Sequence, residues 1–174
     1  DELRRQRQMC IRDRFKEGMQ YFGFVFIGLI KVKDDPYVIE YNVRMGDPET
    51  EVVFPRINND LLELFNSMGK PKFNSIELDI KTDNAATVIL VSGGYPLEYK
   101  KGMLIEGIEI KDDTIVFHSG TKKISDKYYT NGGRVLAVTS LSENYQKALK
   151  NSYAKIKKIK FEGMYYRKDI GFDL

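Results

Sequence analysis

Glu40, Asn42 and Arg44 stand two apart in the stretch Val38–Arg44. In an extended strand that spacing puts a carboxylate, an amide oxygen and a guanidinium on one face, together with Val38. Ile39, Tyr41 and Val43 fall on the other face, where they are expected to pack into a core. The polar set suits a hard cation bound to phosphates. Mg²⁺ takes one or two protein oxygens and leaves its other positions to water and phosphate oxygens. The arginine offers a planar fork to a phosphate or to developing negative charge. An ordinary edge strand with polar residues facing water shows the same alternation.

The turn after the strand carries chemistry of its own. Gly46 tolerates positive φ. Asp47 and Pro48 read as the N-cap and first residue of a helix, with Glu49 and Glu51 in the first turn, where the dipole favours acids. A helix start beside such a strand is a place for an anionic or amine-bearing substrate.

The string Glu-Tyr-Asn-Val-Arg-Met-Gly-Asp-Pro-Glu-Thr-Glu, from Glu40 to Glu51, resembles the signature of the phosphoribosylamine–glycine ligases of purine biosynthesis, members of the ATP-grasp superfamily. Met45 stands where that family usually has phenylalanine, another large apolar residue. Four further stretches resemble family motifs in family order: Ser92-Gly93-Gly94-Tyr95-Pro96, Val116 to Thr121, Thr130 to Leu136 and Phe161 to Gly171. The likeness runs from about Phe15 to the end, and several motifs in order are more specific than one short match.

The resemblance implies an ATP-dependent ligase that joins glycine to the amine of phosphoribosylamine through a glycyl phosphate. ATP is the co-substrate and Mg²⁺ or Mn²⁺ the metal. It implies Glu40 and Asn42 as metal ligands and Arg44 as the catalytic group at the transferring phosphoryl or acyl phosphate. Asp47 and Glu49 would hold the amine or hydroxyls of the substrate. Lys100 or Lys101, and Arg134, would reach its ribose phosphate; solvated surface positions are an open alternative for all three. Full-length relatives are more than twice as long. The chain therefore reads as a fragment, inactive alone, whose partners are the small-molecule substrates and the missing N-terminal domains with the ATP-grasp lid. A non-catalytic binding module and another ATP-grasp ligase are the competing readings.

Composition narrows the class. The 174 residues allow one or two small domains with a real core, and 42% hydrophobic with 30% charged is ordinary for a soluble protein. The first 14 residues hold five arginines against three acids, whereas the rest holds 23 basic and 22 acidic side chains. A nearly neutral body gives no electrostatic case for nucleic acid. The single cysteine, Cys10, excludes an intrachain disulfide framework and points to a reducing compartment. The longest apolar run, Tyr21 to Val32, is broken by Gly23, Gly28 and Lys31, too short to span a membrane. With no signal-peptide pattern, the expected location is cytoplasmic and off the membrane.

The expected fold is α+β: the C-terminal part of an ATP-grasp domain over 15–82, then a small β-rich C-terminal domain with one long helix over 83–174. Residues 1–14 read as a basic extension foreign to the family. Tyr21–Lys33 and Tyr37–Arg44 are expected to form a hairpin covered on both faces. Asn58 or Asn59 should cap a helix carrying Leu61, Leu62, Leu64, Phe65 and Met68. Ile76, Leu78 and Ile80 alternate as a strand, and Ala86–Ser92 forms another. Ile105–Ile110 and Thr114–His118 follow as short strands. His118, the only histidine, lacks companion metal ligands and reads as a hydrogen-bonded core or edge residue. Asn131-Gly132-Gly133 should turn a hairpin between Lys127–Thr130 and Arg134–Thr139. Ser142 should cap a helix over Glu143–Lys158 that buries Tyr145, Ala148, Leu149, Ala154 and Ile156, and Phe161–Asp169 should close on the core.

Overall fold

The computed structural model describes residues 16–19, 21–108 and 112–172. The basic extension 1–14, Phe15, and Glu109 and Ile110 at the end of an expected strand lie outside the described residues. The fold is mixed α+β, and the chain divides into two compact units. One comprises the residues up to Asp47 together with Asn59–Leu78; the other comprises Pro48–Asn58 and everything from Asp79 on.

The first unit is built on an antiparallel hairpin of β1 (Phe26–Val32) and β2 (Asp35–Asn42). Lys33, at φ 58°, occupies the left-handed position of the connecting turn. Strict alternation fails at one point. Glu40 pairs with Gly28, but Val38 pairs with Leu29, so Ile39 is a bulged extra residue. Paired residues share a face, so Val38 passes to the side of Tyr41 and leaves Glu40 and Asn42 together. The expected apolar packing also fails. Ile39, Tyr41 and Val43 are 64%, 51% and 65% exposed, and Ile27 alone of the hairpin is fully buried. A two-stranded ribbon has no second layer of its own to bury them.

The unit's helix, α2 by chain order (Leu61–Ser67), is capped by Asp60, not by Asn58 or Asn59: the Asp60 carboxylate accepts from the Glu63 N–H at 2.9 Å. Leu64 is buried, Leu62 and Phe65 are exposed, and Phe65 meets Phe24 edge to face at 5.7 Å. Pro71–Ser75 forms a 3₁₀ turn. The strand expected through Ile76, Leu78 and Ile80 is absent from these described residues. Glu77 accepts from the Asn59 side chain at 3.0 Å, and within the second unit Asp79 accepts from the Asn58 N–H at 2.9 Å beside a single bridge between Ile80 and Ile57.

The second unit opens with α1 (Thr50–Val53), followed by a 3₁₀ turn over Phe54–Arg56 that contains Pro55. Its centre is a three-stranded antiparallel sheet, β3 (Asn84–Val91), β8 (Arg134–Ser142) and β5 (Thr114–His118), with β8 in the middle. A second sheet pairs β4 (Leu104–Ile105), β7 (Lys127–Thr130) and β6 (Thr121–Ile124). Every residue from Val135 to Ser140 is buried. The long helix α3 (Tyr145–Ile156) packs on β3 and β8, and α1 also packs against both strands. Val88, Leu90, Leu136, Val138, Leu149, Ile156, Ile159 and Phe161 form the core.

Three local expectations need correction here. Asn144, not Ser142, caps α3: its side chain accepts from the Lys147 N–H at 2.8 Å, while Ser142 ends β8 and donates to Glu143 at 2.9 Å. The buried stripe of α3 is Ala148, Leu149, Ser152, Lys155 and Ile156. Ala154 is exposed; Ser152 takes the inward place because its hydroxyl reaches Ser140 at 3.0 Å and the Ala86 carbonyl at 3.3 Å. Finally, β7 and β8 belong to different sheets, so Asn131-Gly132-Gly133 is a crossing, not a hairpin turn. The hairpin partner of β7 is β6, through Ser125 at φ 52°. Among the described residues, no helix is long and apolar enough to cross a membrane.

Candidate functional site

In the first unit, β2 delivers Glu40 and Asn42 to one face. Glu40 is exposed and Asn42 half-buried. Gly28 opposite Glu40 has a physical reason: a Cβ there would lie 3.0 Å from Glu40 Cγ. The glycine leaves room for the glutamate stem and lets the carboxylate stand off the sheet. A carboxylate and an amide oxygen side by side fit a hard divalent cation that keeps most of its waters. Among the described residues, no group of three or more His, Cys, Asp or Glu side chains is arranged to hold a metal. Two oxygens alone would leave most positions of such an ion to water or to phosphate oxygens.

Arg44 lies two residues beyond the end of β2 and is exposed, with Nη1 donating to the Met45 carbonyl at 3.1 Å. Asp47, also exposed, sits in the turn that follows. Neither Asp47 nor Pro48 starts a helix as expected. Asp47-Pro48-Glu49 is a turn, α1 begins at Thr50, and Glu49 takes the N-cap position with helical φ and ψ and no side-chain cap. With only four residues, α1 has too short a dipole to make an anion site of its N-terminus. Glu49 is exposed at the start of the second unit.

The second unit brings together loops that the sequence treats separately. Ser92 donates its hydroxyl to the Gly132 carbonyl and its N–H to the Gly133 carbonyl, both at 2.8 Å. Asn131 N–H donates to Gly120 at 2.7 Å, and Gly120 N–H to Arg134 at 2.9 Å. These bonds replace the expected hairpin: the glycines let three chain segments cross backbone to backbone. A Cβ on Gly93 would lie 2.7 Å from the Gly163 carbonyl oxygen, so the two turns touch directly. Beside them opens a cavity of about 390 Å³ lined by Gly93, Glu98, Tyr99, Lys100, Met103, Glu162 and Gly163.

Lys100 therefore stands at the cavity wall, whereas Arg134, the exposed first residue of β8, is not among the residues that line it. Glu98, Tyr99 and Glu162 were not legible as site residues, because only the turn–turn contact makes them neighbours. His118 is an exposed edge residue, hydrogen-bonded to Thr121 at 3.0 Å, with its ring 4.6 Å from that of Tyr128 and tilted by 36°. Desolvation holds its imidazole below the usual histidine range.

Comparison with known proteins agrees with this architecture. Residues 85–173 match the family described as phosphoribosylglycinamide synthetase, C domain. Residues 7–50 match the phosphoribosylglycinamide synthetase ATP-grasp (A) domain. A phosphoribosylamine–glycine ligase of Fusobacterium nucleatum is 42% identical over 159 residues, which is 89% of this chain and 37% of the relative. A trifunctional purine biosynthetic protein of Gallus gallus is 41% identical over 160 residues, 90% of this chain and 16% of the relative. The crystal structure of the phosphoribosylamine–glycine ligase from Thermotoga maritima superimposes with a TM-score of 0.74 at 33% identity, covering 89% of this chain and 38% of that one. The chain thus spans about 37% of the length of the single-function relatives it matches.

Proposed function

The chain belongs to the phosphoribosylglycinamide synthetase family, and on that premise we propose that it is the C-terminal part of a cytoplasmic phosphoribosylamine–glycine ligase. The reaction joins glycine to 5-phosphoribosylamine with cleavage of ATP to ADP and phosphate. The glycine carboxylate takes the γ-phosphoryl group and releases ADP. The amine of phosphoribosylamine then attacks the acyl carbon of the glycyl phosphate and releases phosphate. The observation that carries this reading is the structural likeness to the Thermotoga maritima ligase over 89% of the chain.

Residues 15–82 supply the end of the ATP-grasp domain, and residues 83–174 the C-terminal domain. Glu40 and Asn42 hold Mg²⁺ or Mn²⁺, since one face of β2 presents their oxygens together. When bound, the metal neutralises triphosphate charge and polarises the transferred phosphoryl group. Arg44 sets a guanidinium against the negative charge of the transferring group. Asp47 and Glu49 accept hydrogen bonds from the amine or hydroxyls of the substrate, and Lys100 and Arg134 pair with its ribose phosphate. The ATP lid and adenine pocket belong to the remaining part of the ligase.

The test is a replacement. The segment of the Fusobacterium nucleatum ligase that matches this chain is exchanged for residues 15–174. Release of ADP that depends on both glycine and phosphoribosylamine is then measured, with circular dichroism confirming a folded product. Glycinamide ribonucleotide formation by the exchange protein, with none by the 174-residue chain alone, is the expected result. A folded exchange protein that binds neither substrate would overturn the reading.

A further inference from the structure

Gly133 is held between two tyrosines. A Cβ built on it would lie 2.7 Å from Tyr95 Cε2 and 3.1 Å from Tyr99 Cε1. The two rings lie 6.2 Å apart at 59° and close over the bare glycine. Any side chain at 133 would have to unseat Tyr95. The residue after this glycine is Arg134; the residue after Tyr99 is Lys100, at the cavity wall. The grip therefore joins the two segments that carry these two cations. Ser92 strengthens it from below, through its bonds to the carbonyls of Gly132 and Gly133. The backbone ties the same two segments further along, where Gly102 N–H donates to the Thr130 carbonyl at 2.7 Å and Thr130 N–H to the Met103 carbonyl at 2.9 Å; the aromatic grip adds a second tie next to the two cations.

We propose that Tyr95 is a positioning residue. Its ring, seated with that of Tyr99 on Gly133, fixes Arg134 relative to Lys100 so that both grip one sugar phosphate. The proposal rests on the reading of Lys100 and Arg134 as phosphate contacts. A long, flexible cation held by its backbone alone loses rotamer and loop freedom on each binding event. A backbone fixed in advance by two aromatic rings removes the loop part of that cost. Tyr95 itself need not touch the substrate.

The test uses the whole 174-residue chain and two readouts. The first is hydrogen exchange at the Ser92 amide, which donates to Gly133, and at the Gly120 amide, which donates to Arg134. Tyr95→Ala and Gly133→Ala should each speed these two amides by about tenfold or more while leaving Val138 in the core strand unchanged. Tyr95→Phe, which keeps the ring, should match the parent. The second readout is the amide shifts of Lys100 and Arg134 during titration with ribose 5-phosphate. Tyr95→Ala should weaken binding by about tenfold, and Tyr95→Phe should not.

Unchanged exchange in Tyr95→Ala would overturn the positioning role, whatever the titration shows. Faster exchange with undiminished ribose 5-phosphate binding would overturn it as well. If the parent chain shows no shifts at Lys100 or Arg134 while exchange behaves as expected, the assignment of both cations to phosphate falls. The proposal falls with it, and the exchange data separate that failure from a missing clamp. A global loss of structure in Tyr95→Ala would appear at Val138, and Gly133→Ala with Tyr95→Phe then decides.

Discussion

Lys155 Nζ lies 3.5 Å from Asp112 Oδ2, with the lysine side chain 2% exposed and the aspartate side chain 26% exposed. The Ile108 carbonyl oxygen also lies 3.5 Å from this ammonium. A cation this deep depends on its protein partners, because water cannot replace them.

Burial pushes the Asp112 carboxyl up, but hydrogen bonds from the Thr114 hydroxyl and N–H, then the charge of Lys155, outweigh it and hold the group below the usual carboxylate range. A lowered folded value means stability that is fully present above the unfolded value and lost as pH falls through the folded one. Asp112→Asn should cost about 1–3 kcal/mol at pH 7, less than a fully enclosed pair because the aspartate is partly solvated. Thermal melts at pH 7 and pH 3 should show the gap between parent and variant narrowing at the lower pH. A gap independent of pH would contradict the assignment.

Leu136 is completely buried in β8. Leu136→Ala should lower stability by about 2–5 kcal/mol through lost burial and the cavity left behind. The fall in the urea midpoint at constant slope measures it. A loss below about 1 kcal/mol would mean that α3 and the sheet collapse into the gap.

Glu40→Gln and Asn42→Ala, made in the exchange ligase, should each raise the Mg²⁺ concentration for half-maximal ADP release by about tenfold or more. A Mg²⁺ dependence unaltered in both variants would remove these two residues from the metal.

The bare side of the hairpin makes a prediction for the 174-residue chain in isolation. Ile39 and Val43 are 64% and 65% exposed, and exposed apolar strand surface promotes association. Sedimentation should show concentration-dependent self-association. Ile39→Lys with Val43→Lys should suppress it while changing stability by no more than about 0.5 kcal/mol per site. Undiminished association would place the contact elsewhere.

The elements that could be read from sequence were those whose pattern reports a local cause. The Glu40–Asn42 pairing follows from period-two alternation, and α3 follows from its apolar spacing and the polar residues ahead of it. Caps are ambiguous by one or two residues, because Ser142 and Asn144, or Asn59 and Asp60, are equally good acceptors in isolation. The bulge at Ile39 could not be foreseen, since it depends on the partner strand. The Asn131-Gly132-Gly133 crossing carries the strongest local hairpin signal in the chain, yet contacts with Gly120 and Ser92, distant in sequence, decide its path. Glu98, Tyr99 and Glu162 gather around one cavity only because Gly93 and Gly163 meet, and no spacing rule contains that contact.

Strand β8 is hydrogen-bonded along both edges and covered on both sides. Its amides cannot meet deuterium through fraying or a loosened loop; the entire second unit must come apart first. Labelling at Ala137 and Val138 therefore keeps time for complete opening, against which every faster event in the surrounding turns can be dated.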